Sequence, residues 1–253
     1  IDIDNAYAFK HKGILRTTAG TLKDGLTNPT KLKQRWGTYM RNSKDPYDTY
    51  SYIQHFSKNQ KLEVLFFFLL GDYAQYDKNI RFDHPKMISL IKQLGNTSTI
   101  GIHPSYASNK NSKMIGIEKQ RLEHILGKSV HHNRFHFLKF SLPKSYQQLL
   151  AYGITDDYSM GYADQIGFRA GTCTPFNFYD LENEVQTDLK VHPFAYMDGV
   201  LNDHSKLNTE MALEKVQILR KNVAEVKGTF TSIWHNESLS NVDRWSGWQK
   251  VFE

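Results

Sequence analysis

Residues 62–70, Leu-Glu-Val-Leu-Phe-Phe-Phe-Leu-Leu, form an almost unbroken apolar run stopped by Gly71-Asp72. A strand with one wet face alternates apolar and polar residues, whereas a run like this fits a strand covered on both faces, as in a parallel sheet. Parallel neighbours need a crossover, usually a helix, so the rest of the chain should interleave helices with strands. Helical spacing is present at Met87, Ile88, Ile91 and Leu94 before Gly95, and at Ile115, Leu122, Ile125 and Leu126 before Gly127. It recurs over 143–152 before Gly153, and through Met211, Leu213, Val216, Leu219 and Val223 toward Gly228. Strands are expected at the start of the chain, at 99–103, at 130–140 and at 229–235, with shorter ones at 157–160, 167–170 and 191–197. The alternation predicts an α/β class with a parallel barrel or open sheet, and 253 residues match a single barrel-sized domain.

The first segment, Ile1-Asp2-Ile3-Asp4, alternates with period two, which puts Asp2 and Asp4 on one face of the first strand. Two neighbouring carboxylates resist joint ionisation unless a metal ion, an arginine or a shared proton sits beside them. Other strand-like segments also end in polar residues: Gly101-Ile102-His103, Arg134-Phe135-His136 and Ile233-Trp234-His235. In a parallel barrel the reactive side chains gather where strands end, so Asp2, Asp4, Asp72, His103, Arg134, His136, Asp157 and His235 are the candidates. Aspartate and histidine together suit a divalent ion such as zinc.

Between the first strand and the apolar run lies a long insertion, about 8–60, with a helix expected at Pro29–Met40 and another opened by Asp45 and running through His55. Lys10, Lys12, Arg16, Lys31, Lys33, Arg35 and Arg41 make it basic: either a solvated helix face or a surface for an anionic polymer or a lipid phosphate. The whole chain, with 32 basic and 26 acidic residues, is only +6, and no aromatic-interleaved basic stripe suggests nucleic acid. One cysteine excludes an intrachain disulfide and any multi-cysteine metal site. No apolar run reaches the roughly 20 residues that span a bilayer. The chain opens inside a strand without a starting Met, so it is expected to be a piece of a longer protein.

Taken in order, an acidic pair on the first strand, a Gly-x-His strand, a helix ending Leu126-Gly127-Lys128, a strand bearing Arg134, a helix before Gly153-Ile154 and a closing Trp-His strand resemble the polysaccharide deacetylases of carbohydrate esterase family 4. The likeness spans essentially the whole chain and is closest to a divergent bacterial branch with Asp-x-Asp in place of the adjacent acidic pair. It implies a distorted parallel (β/α)7-type barrel, a divalent metal, most often zinc, and removal of acetyl groups from a polysaccharide or oligosaccharide, lipid-linked or not. It also implies that Asp2 and Asp4 are a general base and a metal ligand, that Arg134 orients the base and that His235 is the acid. The family's metal motif is His-x-x-x-His; His103 matches its first position, but Ala107 stands at the second. His136, two residues beyond Arg134 and so on the same strand face, is the expected replacement, giving Asp4, His103 and His136 as ligands. Asp72, Tyr106, Asp157, Arg169, Trp234 and Glu237 are expected to touch substrate or to support the site. The alternatives are a deacetylase-like barrel that only binds a glycan or glycolipid, and a glycoside hydrolase acting through its carboxylates.

Overall fold

The computed structural model describes residues 1–41 and 43–253. In chain order it comprises β1 (Asp2–Ile3), α1 (Ile14–Thr27), α2 (Pro29–Met40), α3 (Tyr50–Gln60), β2 (Leu65–Phe68), α4 (Pro85–Gly95), β3 (Thr99–Ile102), α5 (Lys113–Leu126), β4 (His132–Asn133), α6 (Lys144–Ala151), β5 (Asp156–Asp157), β6 (Phe176–Asp180), β7 (Val185–Val191), β8 (Tyr196–Met197), α7 (Thr209–Glu225), β9 (Ser232–Ile233) and α8 (Gln249–Phe252). Seven strands form one sheet in the order β1-β2-β3-β4-β5-β7-β6, parallel throughout except for the antiparallel β6. β8 and β9 form a second parallel pair, joined to β1 by one bridge between Asp2 and His235. The mixed α/β class and the mostly parallel sheet expected from the sequence are therefore present.

The apolar run becomes β2, paired on both edges, with β1 and β3. Phe66, Phe67 and Phe68 are all buried, and Phe67 lies over Gly101 of β3, where a Cβ would come within 2.6 Å of its ring. Glycine at 101 is thus what lets two adjacent strands share one aromatic side chain. Phe66 and Phe68 pack into a core with Ile100, Ile102, Met87, Ile91, Leu94 and Leu122, the inward stripes of α4 and α5. Each fully buried side chain of this size contributes roughly 1.5–3 kcal/mol relative to exposure. α4 starts where Pro85 supplies a ready-made φ and His84 accepts the Lys86 N–H, and α5 stops at Gly127 with φ 69°.

Several expected elements differ. The strand expected over 130–140 is only two residues long, because the chain turns into a 3-10 turn at His136–Leu138, with Phe137 and Leu138 left-handed (φ 56° and 49°). Residues 167–170 are not a strand; Gly167 adopts φ 116° and donates its N–H to the Ala195 carbonyl. Pro193 divides the strand expected at 191–197 into the end of β7 and β8. The β6–β7 hairpin was not expected, since most of its side chains are exposed on both faces and give no alternation. Asp45 does not cap a helix: its carboxylate accepts the N–H groups of Ala8, Phe9 and Lys10 (2.7, 2.9 and 2.9 Å), and α3 begins at Tyr50. In the insertion, α1 was likewise unforeseen. It pairs with α2 through a buried ion pair, Arg35 to Asp24 at 2.8 and 2.6 Å, which Gly20 leaves room for.

Candidate metal centre

β1 is short because its Asp2 is drawn into contacts on both sides. Its N–H donates to the Trp234 carbonyl (2.8 Å), while β2 pairs on the other edge. The chain bends after Ile3, and Asp4 leaves the ladder with its carboxylate still beside that of Asp2. His103 follows β3 and donates its N–H to the Phe68 carbonyl (3.0 Å); Arg134 follows β4 and donates to the Ile102 carbonyl (3.1 Å). His235 follows β9. The staggered ends of parallel strands thus bring together residues 2, 4, 103, 134 and 235, and the left-handed turn at Phe137 folds His136 back toward them. A left-handed non-glycine residue costs on the order of 1–2 kcal/mol, so that turn is held by its surroundings.

The histidines share one arrangement. His103 Nδ1 donates to the Arg134 carbonyl, His136 Nδ1 to Asp77 Oδ1 (3.1 Å) and His235 Nδ1 to Asp198 Oδ1 (2.8 Å). Carbonyl and carboxylate oxygens only accept, so each partner fixes the proton on Nδ1 and aims Nε2 at the acidic pair. His103 Nε2 is 3.2 Å from Asp4 Oδ1 and 3.8 Å from Asp2 Oδ2; His136 Nε2 is 3.4 Å from Asp4 Oδ2; His235 Nε2 is 3.7 Å from Asp4 Oδ2 and 3.8 Å from Asp2 Oδ2. A bare imidazole lone pair facing a carboxylate oxygen is repulsive unless a proton or a cation lies between them.

Residues Asp4, His103 and His136 fit a cation. Their donor atoms all lie within 4.8 Å of one another, a span that one ion with ligands at roughly 2.0–2.2 Å can draw together. Asp4 Oδ1 and Asp2 Oδ1 are buried and have no hydrogen-bond donor among the described residues. Both ligand histidines carry the acceptor on Nδ1 that orients metal-binding imidazoles.

The charges are strongly coupled. Burial pushes Asp2 up, but Arg134, whose Nε donates to its Oδ2 at 2.6 Å, together with His103 and His235 holds it below the usual carboxylate range. Burial also opposes ionisation of Asp4, and His136 and His103 overcome it. His136 is raised to about 9 against its own burial by Asp4 and Asp77, and His235 to about 10 by Asp198, then Asp4 and Asp2. Solvent reaches only two members of the cluster: the side chains of Asp4 (26% exposed) and His235 (21%), while those of His103, Arg134 and His136 are at 4% or less. Solutes therefore reach the cluster over Asp4 and His235.

The other expected site residues lie elsewhere or do other work. Ala107 is exposed in a 3-10 turn (Tyr106–Asn109), and the Tyr106 ring packs tilted against Tyr76 and edge-on to Phe137. Asp72 is exposed and paired with Arg121 at 3.0 Å. Asp157 is fully buried and consumed by Asn133, Tyr146 and Ser159, so it braces β4 and β5 against α6 and presents nothing to a ligand. Arg169 lies over the Phe140 ring, Trp234 is a core residue against Tyr196 and Phe252, and Glu237 pairs with Arg244. The carboxylate behind His235 is Asp198, not Glu237. Asp77 and Asp198 had no assigned role in the sequence, although Asp198 stands directly after β8, where a strand end presents its side chain.

No family model matches the chain, and no curated protein matches it. Among solved structures, one described as a "putative polysaccharide deacetylase" from Mycobacterium smegmatis aligns with 100% of this chain and 80% of its own, at a TM-score of 0.57 and 11% identity. The chain has a polysaccharide-deacetylase-like fold. IcaB from Ammonifex degensii aligns with 44% of this chain and 54% of its own, at 14% identity and a TM-score of 0.33, too low to bear on the fold.

Proposed function

We propose that the chain is a metal-dependent hydrolase that removes acetyl groups from a glycan. The observation that supports this most is the arrangement of Asp4, His103 and His136, whose ligand atoms lie within 4.8 Å of one another beside Asp2, which Arg134 favours as the anion, and His235, which Asp198 favours as the cation. On this reading Asp4, His103 and His136 hold the cation, and His136 takes the place that Ala107 leaves empty in the family pattern. A divalent ion bound there would supply Lewis-acid activation.

The protein's own groups divide the remaining work. Asp2, kept anionic by Arg134, accepts the proton of the attacking water through Oδ1, which has no hydrogen-bond donor among the described residues. His235, kept cationic by Asp198 and reachable from solvent, gives a proton to the departing amine or alkoxide. Burial of the remaining members excludes bulk water and strengthens these interactions. The same reading takes the two sheets, joined through Asp2 and His235, as parts of one distorted barrel. A glycosidase built on free carboxylates is not supported: Asp2 is paired with Arg134, Asp4 faces His103 and His136, and Asp72 is paired outside the cluster.

Acetate release from an N- or O-acetylated oligosaccharide tests the proposal. The wild type should release acetate, and Asp2→Ala and His103→Ala should each abolish release while keeping a cooperative unfolding transition. Glycan binding without acetate release would instead make the chain a binding module.

A further inference from the structure

A cavity of about 560 Å3 is lined by His11, Lys12, Arg16, Asp72, Arg81 and His84 among others. Its charges do not cancel. Asp72 is paired with Arg121, and Arg81 with Asp83 at 2.9 and 2.6 Å. Arg16 donates to the Asn79 carbonyl (3.0 Å) and the Lys78 carbonyl and lies 4.3 Å from the Tyr73 ring, with no carboxylate partner among the described residues. Lys12 makes no hydrogen bond or ion pair among the described residues, and burial, with Arg16 nearby, pushes its ammonium down to about 8. Asp45, the acid acting on it, already accepts four backbone N–H groups, those of Ala8, Phe9, Lys10 and Tyr47.

Two imidazoles complete the lining. His84 Nδ1 accepts the Lys86 N–H, which leaves its Nε2 as a donor, and the His11 ring packs 5.4 Å from it. Ile80 and Phe82 form apolar wall beside these donors. The cavity is also tied to the metal centre. The loop between β2 and α4 carries both Asp77, which holds His136, and Asn79, whose amide donates to the Ile3 and Leu69 carbonyls and accepts from Ala6. Two cations without a carboxylate partner and two imidazoles, beside the apolar surface of Ile80 and Phe82, match a multiply charged oxyanion with an organic substituent.

We infer that this cavity is a phosphoryl-binding subsite, formed by Lys12 and Arg16 with His11 and His84, which selects a phosphorylated glycan for the neighbouring site. The selection rests on the deacetylase reading; the binding of a phosphoryl group does not.

Calorimetric titration with inorganic pyrophosphate tests the subsite. The wild type should bind one equivalent, and Lys12→Gln and Arg16→Gln should each weaken binding about tenfold or more, as expected for loss of a charge-assisted hydrogen bond. Lys33→Gln, at an exposed position on α2, should leave it unchanged. His136→Ala should also retain it, which separates this subsite from the metal centre. No saturable binding, equal weakening by Lys33→Gln, or loss in His136→Ala would overturn the inference. Should the Lys12 and Arg16 variants fail to fold, pyrophosphate should slow reductive methylation of Lys12 but not of Lys33 in the wild type, and equal labelling would count against the site. Co-sedimentation with phosphatidylglycerol vesicles identifies the source of the phosphoryl group. Pyrophosphate-competable vesicle binding points to a lipid carrier, and pyrophosphate binding alone to a soluble sugar phosphate. Pyrophosphate binding by a chain that releases no acetate would keep the subsite and remove the selection role.

Discussion

At the scale of single residues, the contact between Arg134 and Asp2 is the one whose loss is easiest to foresee. Both side chains are at most 2% exposed and meet at 2.6 Å, so removing the guanidinium leaves a buried carboxylate without its main partner. Arg134→Met should lower unfolding stability by about 3–5 kcal/mol in denaturant titrations, and adding Asp2→Asn should recover part of the loss. A single-variant loss below about 1 kcal/mol would mean that the histidines alone suffice for Asp2. Asp198, by contrast, is a positioning residue acting through His235. Asp198→Asn should slow acetate release from an acetamido sugar about 10- to 100-fold but leave an aryl acetate, whose leaving group needs no proton, much less affected. Equal losses on both substrates would assign Asp198 a purely structural role. The sequence displayed Asp2, Asp4, His103, Arg134 and His235 because strand ends are recognisable from the residues before them. Asp77 was not legible, because it comes from an irregular loop and acts on a histidine 59 positions away.

At the scale of elements, α5 carries a buried acid that the proposed chemistry does not use. Glu118 accepts from Ser105 N–H (2.8 Å) and Oγ, and burial, with a smaller contribution from Asp77, pushes its carboxyl up to about 7. The folded state therefore binds this proton more tightly than the unfolded chain. Its stabilising effect is fully present below the unfolded value near 4.5 and is lost as pH rises through about 7. Glu118→Gln should flatten the decline in stability between pH 5 and 7.5 by on the order of 1–3 kcal/mol, read from thermal melts across that range. An unchanged slope would show that the carboxyl is already ionised at pH 5. Long elements with an apolar stripe, such as α4, α5 and α7, were legible because their stripes face a core. The pieces around them were not. β4 and β5 are two residues each and owe their strand character to neighbours on both sides, while the β6–β7 hairpin is held mainly by backbone pairing that leaves no hydrophobic signature.

At the scale of the whole molecule, charge and chemistry are separated in sequence but adjacent in space. Residues 8–44 carry nine Lys or Arg and a single Asp, more than the entire net charge of +6, and the one Asp is spent on Arg35. Two of these, Lys12 and Arg16, line the proposed phosphoryl subsite, while the acidic and imidazole cluster occupies the strand ends. The parallel order of the sheet was readable from one apolar run, yet the joining of the two sheets at Asp2 and His235 depends on contacts 233 positions apart and has no local signal. No helix among the described residues is long and apolar enough to cross a membrane. The central claim is that Asp4, His103 and His136 together hold a divalent ion, with His136 supplying the ligand absent at Ala107. Calorimetric titration of zinc into chelator-treated protein addresses it directly. One ion should bind per wild-type chain, and affinity should fall at least about 100-fold in His136→Ala. Absence of binding in the wild type, or undiminished affinity in His136→Ala, would contradict the account.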